Sequence, residues 1–538
     1  MAEEVIKIQS APGIKRDGTK FEGDAYVDGR WVRFQRGLPR KIGGYRSISK
    51  YLKSVARALH EYTRDQLTYV HAGSSDRVER FHIDGTYNTS VVTDRTPASL
   101  VLSDANLWQF DVQTSASTAG LQLVAQVAPN GDCICNSEGG QLFYGSLTGT
   151  TDLTEVTALP TGYSATGGIV SLHPFTVAFG NDGYVMWTPD CADYTVSGAG
   201  FANVTGQKIV RGMPLRGGPG ASPSGLLWSA DSVIRMAYVG GSVGFEFDTI
   251  SAQSSILSAQ SVIEYDGVFF WPGVDRFLMF NGVVREVPNN MNLNFFYDNL
   301  NKAHRQKVFA FKVPRYGEIW WCFPKGTSTE PNHAVIFNMR ENTWYDTPLP
   351  EGGRSAGLFP TVFGQPLMAG PQPVVNDVVY RDTEIADTRV TESGEDRRAV
   401  EESNQNRYKF WVHEIGTDAV DGINVTPIQS FFETADITLP ATNGQSRQVQ
   451  VAIIEPDFVQ SGPMSVAITG RANARAPEVS SDPQVFQDEA AVPQDQIVTF
   501  QTQRRQLRFR FESNAVGGDY QMGVVLAHVQ PGDGTLLG

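Results

Sequence analysis

The sequence predicts an all-β chain: a β-propeller with an additional C-terminal β-sandwich-like domain and few helices. Three observations predict it. Turn pairs that take positive φ easily recur between β-rich runs, as type I′ hairpins need. Within the runs apolar residues alternate with period two, so one face of Phe245-Glu246-Phe247 or of Arg276-Phe277-Leu278-Met279-Phe280 is the more apolar. Glycine is 53 of 538 residues, which suits many turns, while aromatics at 11% are too many for a disordered chain.

Taken in order, LTYVHAG and VERFHIDGTY turn near Asp84-Gly85, and GGQLFYGSL turns around Gly139-Gly140. FTVAFGNDGYVMW turns at Asp182-Gly183, IRMAYVGGSVGFEF at Gly240-Gly241, VIEYDGVFFW at Asp266-Gly267 and RFLMFNGVVREV at Asn281-Gly282. VFAFKVPRYGEIWWCF and AVIFNMRENTWY then read as paired strands with polar turns. About 300 residues of such runs exceed one sandwich, whereas four-stranded blades closing into a ring use that length and leave few long edges. No clean repeat period emerges, so the blade number stays open.

One helix is expected over NLNFFYDNLNKAHRQ, capped by Asn290 or Asn292, with Leu293, Phe296 and Leu300 on one face and Lys302, His304 and Arg305 in its last turn. SKYLKSVARALHEY fits a helix or a strand equally. Arg381 to Glu402 holds eight acidic residues beside four arginines and reads as a solvated linker or edge segment. Beyond it PIQSFFETADITL, RQVQVAIIEPDF, MSVAITGRA and RQLRFRFES alternate again. The expected units are therefore a basic N-terminal arm or strand region (1–54), a propeller-like region (55–375), the charged linker or edge (376–404) and a C-terminal β-rich domain (405–538).

Several function classes are disfavoured. With 44 Lys and Arg against 58 Asp and Glu, the net charge of −14 does not suit a protein that coats nucleic acid. MAEEVIKIQS lacks the pattern of a signal peptide, and no run of apolar residues is long enough for a transmembrane helix. Cys133, Cys135, Cys191 and Cys322 are too sparse for a disulfide framework or a zinc ribbon. The P-loop and HExxH motifs are absent, and Gly220-Ala221-Ser222-Pro223-Ser224 fails as a nucleophile elbow because Ser stands in place of the second glycine. Ser75-Asp76 and His82–Tyr87 resemble the Asp-box turn of sialidase propellers in one degenerate copy, and even true Asp boxes are structural. Trp320-Trp321 and Trp344-Tyr345 are expected to pack the two faces of a blade, although an exposed Trp344 would need cover. No catalytic, cofactor-binding or metal-binding residue is assigned, and no enzyme activity is expected.

Several segments resemble the tail nozzle proteins of short-tailed bacteriophages, also called tail tubular protein B or packaged-DNA stabilisation proteins. They are WVRFQRGLPRKIGGYR (31–46), SGLLWSADSVIRMAYVGG (224–241), SILSAQSVIEYDGVFFWPGVDRFLMFNGVVREVPNNMN (255–292), EIWWCFPKG (318–326), AVIFNMRENTWYDT (334–347), EPDFVQSG (455–462) and RFESNAVGGDYQMG (510–523). The resemblance implies a structural virion protein of a podovirus-type tail, assembled in the host cytoplasm. Six copies would form a ring below the portal and the head-to-tail adaptor. That ring would close the DNA channel, retain packaged DNA, allow its ejection, and carry tail fibres or spikes at its side. Genomic DNA would pass only transiently, and an acidic lumen would let it slide. No cofactor and no stable membrane insertion are implied. The alternative is a receptor- or glycan-binding propeller of the phage tail, possibly a hydrolase; an intracellular scaffold propeller is a third reading.

Charge is unevenly placed. From Arg30 to Arg57 nine basic residues occur without one acid, and residues 1–64 carry 14 Lys and Arg against 7 Asp and Glu. Three readings compete: these cations blunt an exposed edge strand, or they face the DNA path, where they would add friction, or Arg30, Arg33, Arg36, Arg40, Lys41 and Arg46 dock an acidic neighbour, the next subunit or the adaptor; docking is the expectation. Gly37, Pro39, Gly43 and Gly44 favour an extended arm over a helix.

Overall fold

The computed structural model describes residues 4–532 except 21–22, 65–66, 84–88, 102–107, 114–131, 138, 147–148, 217–221, 362, 372–407, 438–447, 474 and 489–496. The Asp84-Gly85 turn, the end of the Asp-box stretch and all of the charged segment 376–404 lie outside the described residues.

Strands dominate because apolar residues alternate between polar turns, and the turns have the expected chemistry. Asp182-Gly183 and Asp266-Gly267 both place two successive residues at positive φ (57° and 66°, 51° and 81°), as a type I′ turn requires. Six antiparallel four-stranded sheets follow one another, opening with Ala56–Arg64, Gln109–Gln113, Gly168–Leu172, Ile209–Pro214, Ile263–Tyr265 and Phe309–Val313. These are blades 1 to 6. Blade 7 consists of Ala356–Leu358, Leu367–Pro371, Tyr408–His413 and, from the other end of the chain, Tyr45–Leu52. Tyr45–Leu52 pairs antiparallel with Tyr408–His413, and Ala356–Leu358 packs against Ala56–Arg64 of blade 1, which closes the circle. Among the described residues these sheets form a seven-bladed β-propeller.

Blade openings are spaced between 41 residues (168 to 209) and 59 residues (109 to 168), which is why no repeat period is visible in the sequence. The ambiguous stretch 49–62 is strand at both ends, because closing the ring needs one strand and opening blade 1 needs the next. The inner strands face an axis that the chain spans itself. Gln260 Nε2, ahead of blade 5, donates to the Trp108 carbonyl beside blade 2 at 2.7 Å. Gln109 Nε2 donates to the carbonyls of Gly167 and Val210 at 2.7 and 3.0 Å.

Blade cores are buried on both faces. Glu318–Phe323 and His333–Asn338 are buried along their whole length. Trp320, Trp321 and Tyr345 are buried, and Trp344 is 2% exposed with Nε1 donating to the Pro288 carbonyl at 2.9 Å. Trp344 thus needs no further cover, which corrects the expectation of an exposed aromatic.

The helix is shorter than expected, Leu293–Asn299, followed by a 3-10 segment Lys302–Lys307. Neither expected asparagine caps it by side chain. Asp17 does so from the N-terminal segment, its carboxylate accepting from the backbone N–H of Asn294 and Phe295 at 2.8 Å each.

The remaining strands show that the expected domain boundaries must be redrawn. Three sheets contain strands from both ends of the chain. Glu4–Ile8 pairs with Val525–Pro531, which runs beside Val449–Glu455 and then Val498–Arg504. Asp28–Arg30 joins Ser430–Glu433, Gln506–Ser513 and Met464–Arg471. Val32–Gln35 and Leu38–Lys41 continue a sheet begun by Phe458–Ser461 and Asp519–Met522. Glu4–Ile8, Asp28–Arg30, Val32–Gln35 and Leu38–Lys41 are therefore strands built into the C-terminal unit, while Tyr45–Leu52 and Tyr408–His413, placed outside the propeller by the expected boundaries, belong to blade 7. The cause is long-range pairing, which buries apolar strand faces that no local pattern assigns to a partner.

Candidate functional site

The second unit meets the propeller at blade 6, and charge organises the junction. Val32, Arg33 and Phe34 are all buried because this strand is covered on both sides. Phe34 packs on Tyr345 (ring centroids 5.5 Å apart) and Trp31 on Trp320 (6.5 Å). The Trp31 amide donates to Thr347 Oγ1 at 2.9 Å.

Arg33 is 1% exposed. Its Nε lies 2.9 Å from Glu318 Oε1 and its Nη2 donates to Glu318 Oε2 at 3.1 Å. Nη1 donates to Glu414 Oε2 at 2.8 Å, and Nη2 also reaches Glu414 Oε1. The guanidinium stacks on Tyr316 at 3.7 Å. Glu318 further accepts from Trp320 Nε1 at 2.9 Å and Tyr345 Oη at 2.7 Å. Burial works against the charge of Arg33, but the two carboxylates outweigh it and raise the group above the ordinary arginine value. Burial likewise lifts Glu318 above the usual carboxylate range, opposed by Arg33.

A second cluster lies on the same blade. Arg16 Nε pairs with Asp346 Oδ1 at 2.8 Å and Nη1 with Asp28 Oδ1 at 2.5 Å. His333 Nε2 sits 2.9 Å from Asp346 Oδ2. Burial would raise Asp346, yet Arg16 and the His333 hydrogen bond bring it down to about 2.

These positions change the account of the basic strip. Arg33 is an internal clamp and not a docking residue. Lys41 is also buried, its Nζ donating to the Gly518 carbonyl at 2.5 Å, and burial lowers its pKa against the pull of Asp418 and Asp519. A strand sandwiched between two bodies hides cations that a one-sided edge would display. Arg40 is half-buried, donating to Gln35 Oε1 at 2.9 Å. Arg30, Arg36 and Arg46 are exposed. Arg36 has φ 56°, a turn held by the Glu341 carboxylate, which accepts from the backbone N–H of Arg36 (2.6 Å) and Gly37 (2.9 Å). The structure thus divides the six candidates and does not gather them into one patch.

Glu318, Glu414, Asp346, His333 and Arg16 escaped sequence reasoning. One signal was available: Glu318 and Asp346 are lone acids inside the apolar runs EIWWCF and TWYDTP, where a buried carboxylate demands a cation. Among the described residues no group of three or more His, Cys, Asp or Glu is placed to hold a metal, and no helix is long and apolar enough to cross a membrane.

Fold and junction define a β-propeller protein whose ring is clamped to a second β unit. No family model matches the chain, and no curated protein does. Among solved structures it is similar to the WD40 β-propeller domain of Doa1, at 11% identity and a TM-score of 0.39, over 69% of this chain and 97% of that one. It is also similar to Raptor of Chaetomium thermophilum, at 6% identity and a TM-score of 0.40, over 70% of this chain and 29% of that one.

Proposed function

We propose that the chain is the ring-forming subunit of a short-tailed phage nozzle, a structural part that closes the DNA channel below the adaptor. The observation that carries this reading is the convergence of the segments that resemble that family. Strands from 31–46, 455–462 and 510–523, far apart in sequence, lie side by side in one sheet. That sheet rests on blade 6, which contains 318–326 and 334–347. Five of the seven segments thus meet at one junction, while 224–241 and 255–292 lie in blades 4 and 5. The propeller's own axis, crossed by Gln260 and Gln109, has no room for duplex DNA. The DNA path of this proposal therefore runs between subunits.

Exposed Arg30, Arg36 and Arg46 are the docking cations of the proposal, and the adaptor or the next subunit supplies the acids. Negative-stain images of the chain mixed with its adaptor are expected to show sixfold rings. Gln at all three positions should reduce ring yield, more so as salt rises. Particles without rings would refute the nozzle reading. Normal ring assembly by the triple variant, with weaker DNA retention, would instead move those arginines to the lumen.

A further inference from the structure

Three turns meet where blade 6 carries the second unit: 35–38, 313–318 and 338–343. Their own polar groups lock them together. Asn338 Oδ1 accepts from the backbone N–H of Arg340 and Glu341 at 3.0 Å each, while the Glu341 carboxylate holds the backbone of Arg36 and Gly37. Arg340 lies across the 313–318 turn, Nη1 donating to the Arg315 carbonyl and Nη2 to the Pro314 carbonyl at 2.8 Å each. Room for it exists because residue 317 is glycine, at φ 75°; a Cβ there would stand 2.7 Å from Arg340 Cγ. Tyr316 is the centre of the arrangement. The buried Arg33 guanidinium lies 3.7 Å from its ring centroid, and those of Arg315 and Arg40 lie at 5.3 and 5.8 Å.

Arg36, Arg315 and Arg340 are exposed and Arg40 is half-buried. Among the described residues none of these four guanidiniums pairs with a carboxylate: Arg40 donates to Gln35 and Arg340 to the two carbonyls. The acids beside them are engaged elsewhere. Glu341 holds the two backbone N–H groups, and Glu264, next to the Tyr265 whose Oη donates to the Pro314 carbonyl, is paired with Lys312 at 3.6 Å and Arg216 at 3.4 Å. Like charges gathered in this way repel one another, and an anion set among them removes that cost. Their ring and backbone contacts fix the cations beforehand, which lowers the entropy lost on binding. We propose that this patch docks a short acidic peptide segment of a partner protein, its carboxylates pairing with Arg36, Arg40, Arg315 and Arg340. Duplex DNA fits it less well. A duplex needs a stripe of cations along its phosphates, whereas these arginines gather at one ring with Glu264 and Glu341 beside them, on a chain of net charge −14. Arg36 joins this surface to the docking cations of the nozzle reading. The inference does not need that reading, because its test uses the chain by itself, without ring or adaptor.

Fluorescein-labelled hexaglutamate is the probe, with hexaglutamine and a short DNA duplex as comparisons, each titrated against the full chain at low salt by anisotropy. Hexaglutamate is expected to bind more tightly than either, with an affinity that falls as salt rises. Arg40→Gln combined with Arg315→Gln should weaken it at least about tenfold, with an unchanged melting temperature because neither guanidinium holds a carboxylate. Arg315→Glu alone, at an exposed turn, should weaken it as well. Arg235→Gln combined with Arg285→Gln removes the same charge from the exposed surface of blades 4 and 5 and should leave binding unchanged. No hexaglutamate binding at low salt, equal binding of hexaglutamine, tighter binding of the duplex, or an equal loss in the two Gln pairs would overturn the proposal.

Discussion

Replacing Arg33 with methionine is expected to cost about 3–5 kcal/mol of folding stability, because it strands the carboxylates of Glu318 and Glu414 at a buried junction. The apolar stem is kept, so lost packing is a minor part of the effect. Denaturant unfolding checks this through a lower midpoint. A Glu318→Gln change made in the Arg33→Met background should recover part of the loss, since it removes one of the stranded charges. A loss below about 1 kcal/mol would mean that the pair behaves like an exposed one. Any assembly defect caused by changing Arg33 is then a folding defect first, which is why the exposed arginines are the ones to vary when docking is the question.

Acidification should weaken the fold before carboxylates of ordinary pKa titrate. His60, His71 and His413 are held below the ordinary histidine range chiefly by burial. Arg211 adds to this at His60, the neighbouring His60, Arg95 and Arg80 at His71, and Arg354 at His413. A base with a depressed pKa in the fold takes its proton more readily when unfolded. Its stabilising contribution is whole above about pH 6.5 and is lost as pH falls toward the folded value. For His60 that window runs from 6.5 down to about 4, worth about 3 kcal/mol at most, since the residue keeps some solvent contact. Asp346 acts lower down. Its pKa is depressed from 3.8 to about 2, so its contribution is present above about pH 4 and lost below. Unfolding free energies measured at pH 7, 5.5 and 4.5 should fall steadily, and His60→Gln should flatten the slope. A flat profile across that range would contradict the burial of these rings as neutral groups.

The parts of this fold that depend on neighbours in sequence were legible. Asp182-Gly183 and Asp266-Gly267 announce their turns because few other pairs take two positive φ values in a row. The Trp and Tyr pairs of blade 6 announce a sheet packed on both faces. Legibility ends where distant strands pair. Tyr45–Leu52 closes the ring against a strand more than three hundred and fifty residues later, and nothing local distinguishes it from a strand opening blade 1. The N-terminal strands looked like a basic arm because charge pattern assumes one solvent-facing side, and Val32–Gln35 has almost none. Asp17 caps a helix that begins 276 residues further on, where Asn292 stood ready by sequence.

A cryo-EM reconstruction of the chain assembled on its adaptor tests the central claim most directly. The account predicts a sixfold ring in which Ala11–Ile14 and residues 28–34 lie against blade 6 of their own subunit, Arg33 between Glu318 and Glu414, with the DNA path between subunits and not through a propeller axis. A ring of another order, N-terminal strands crossing to a neighbouring propeller, or DNA threading a propeller would contradict it.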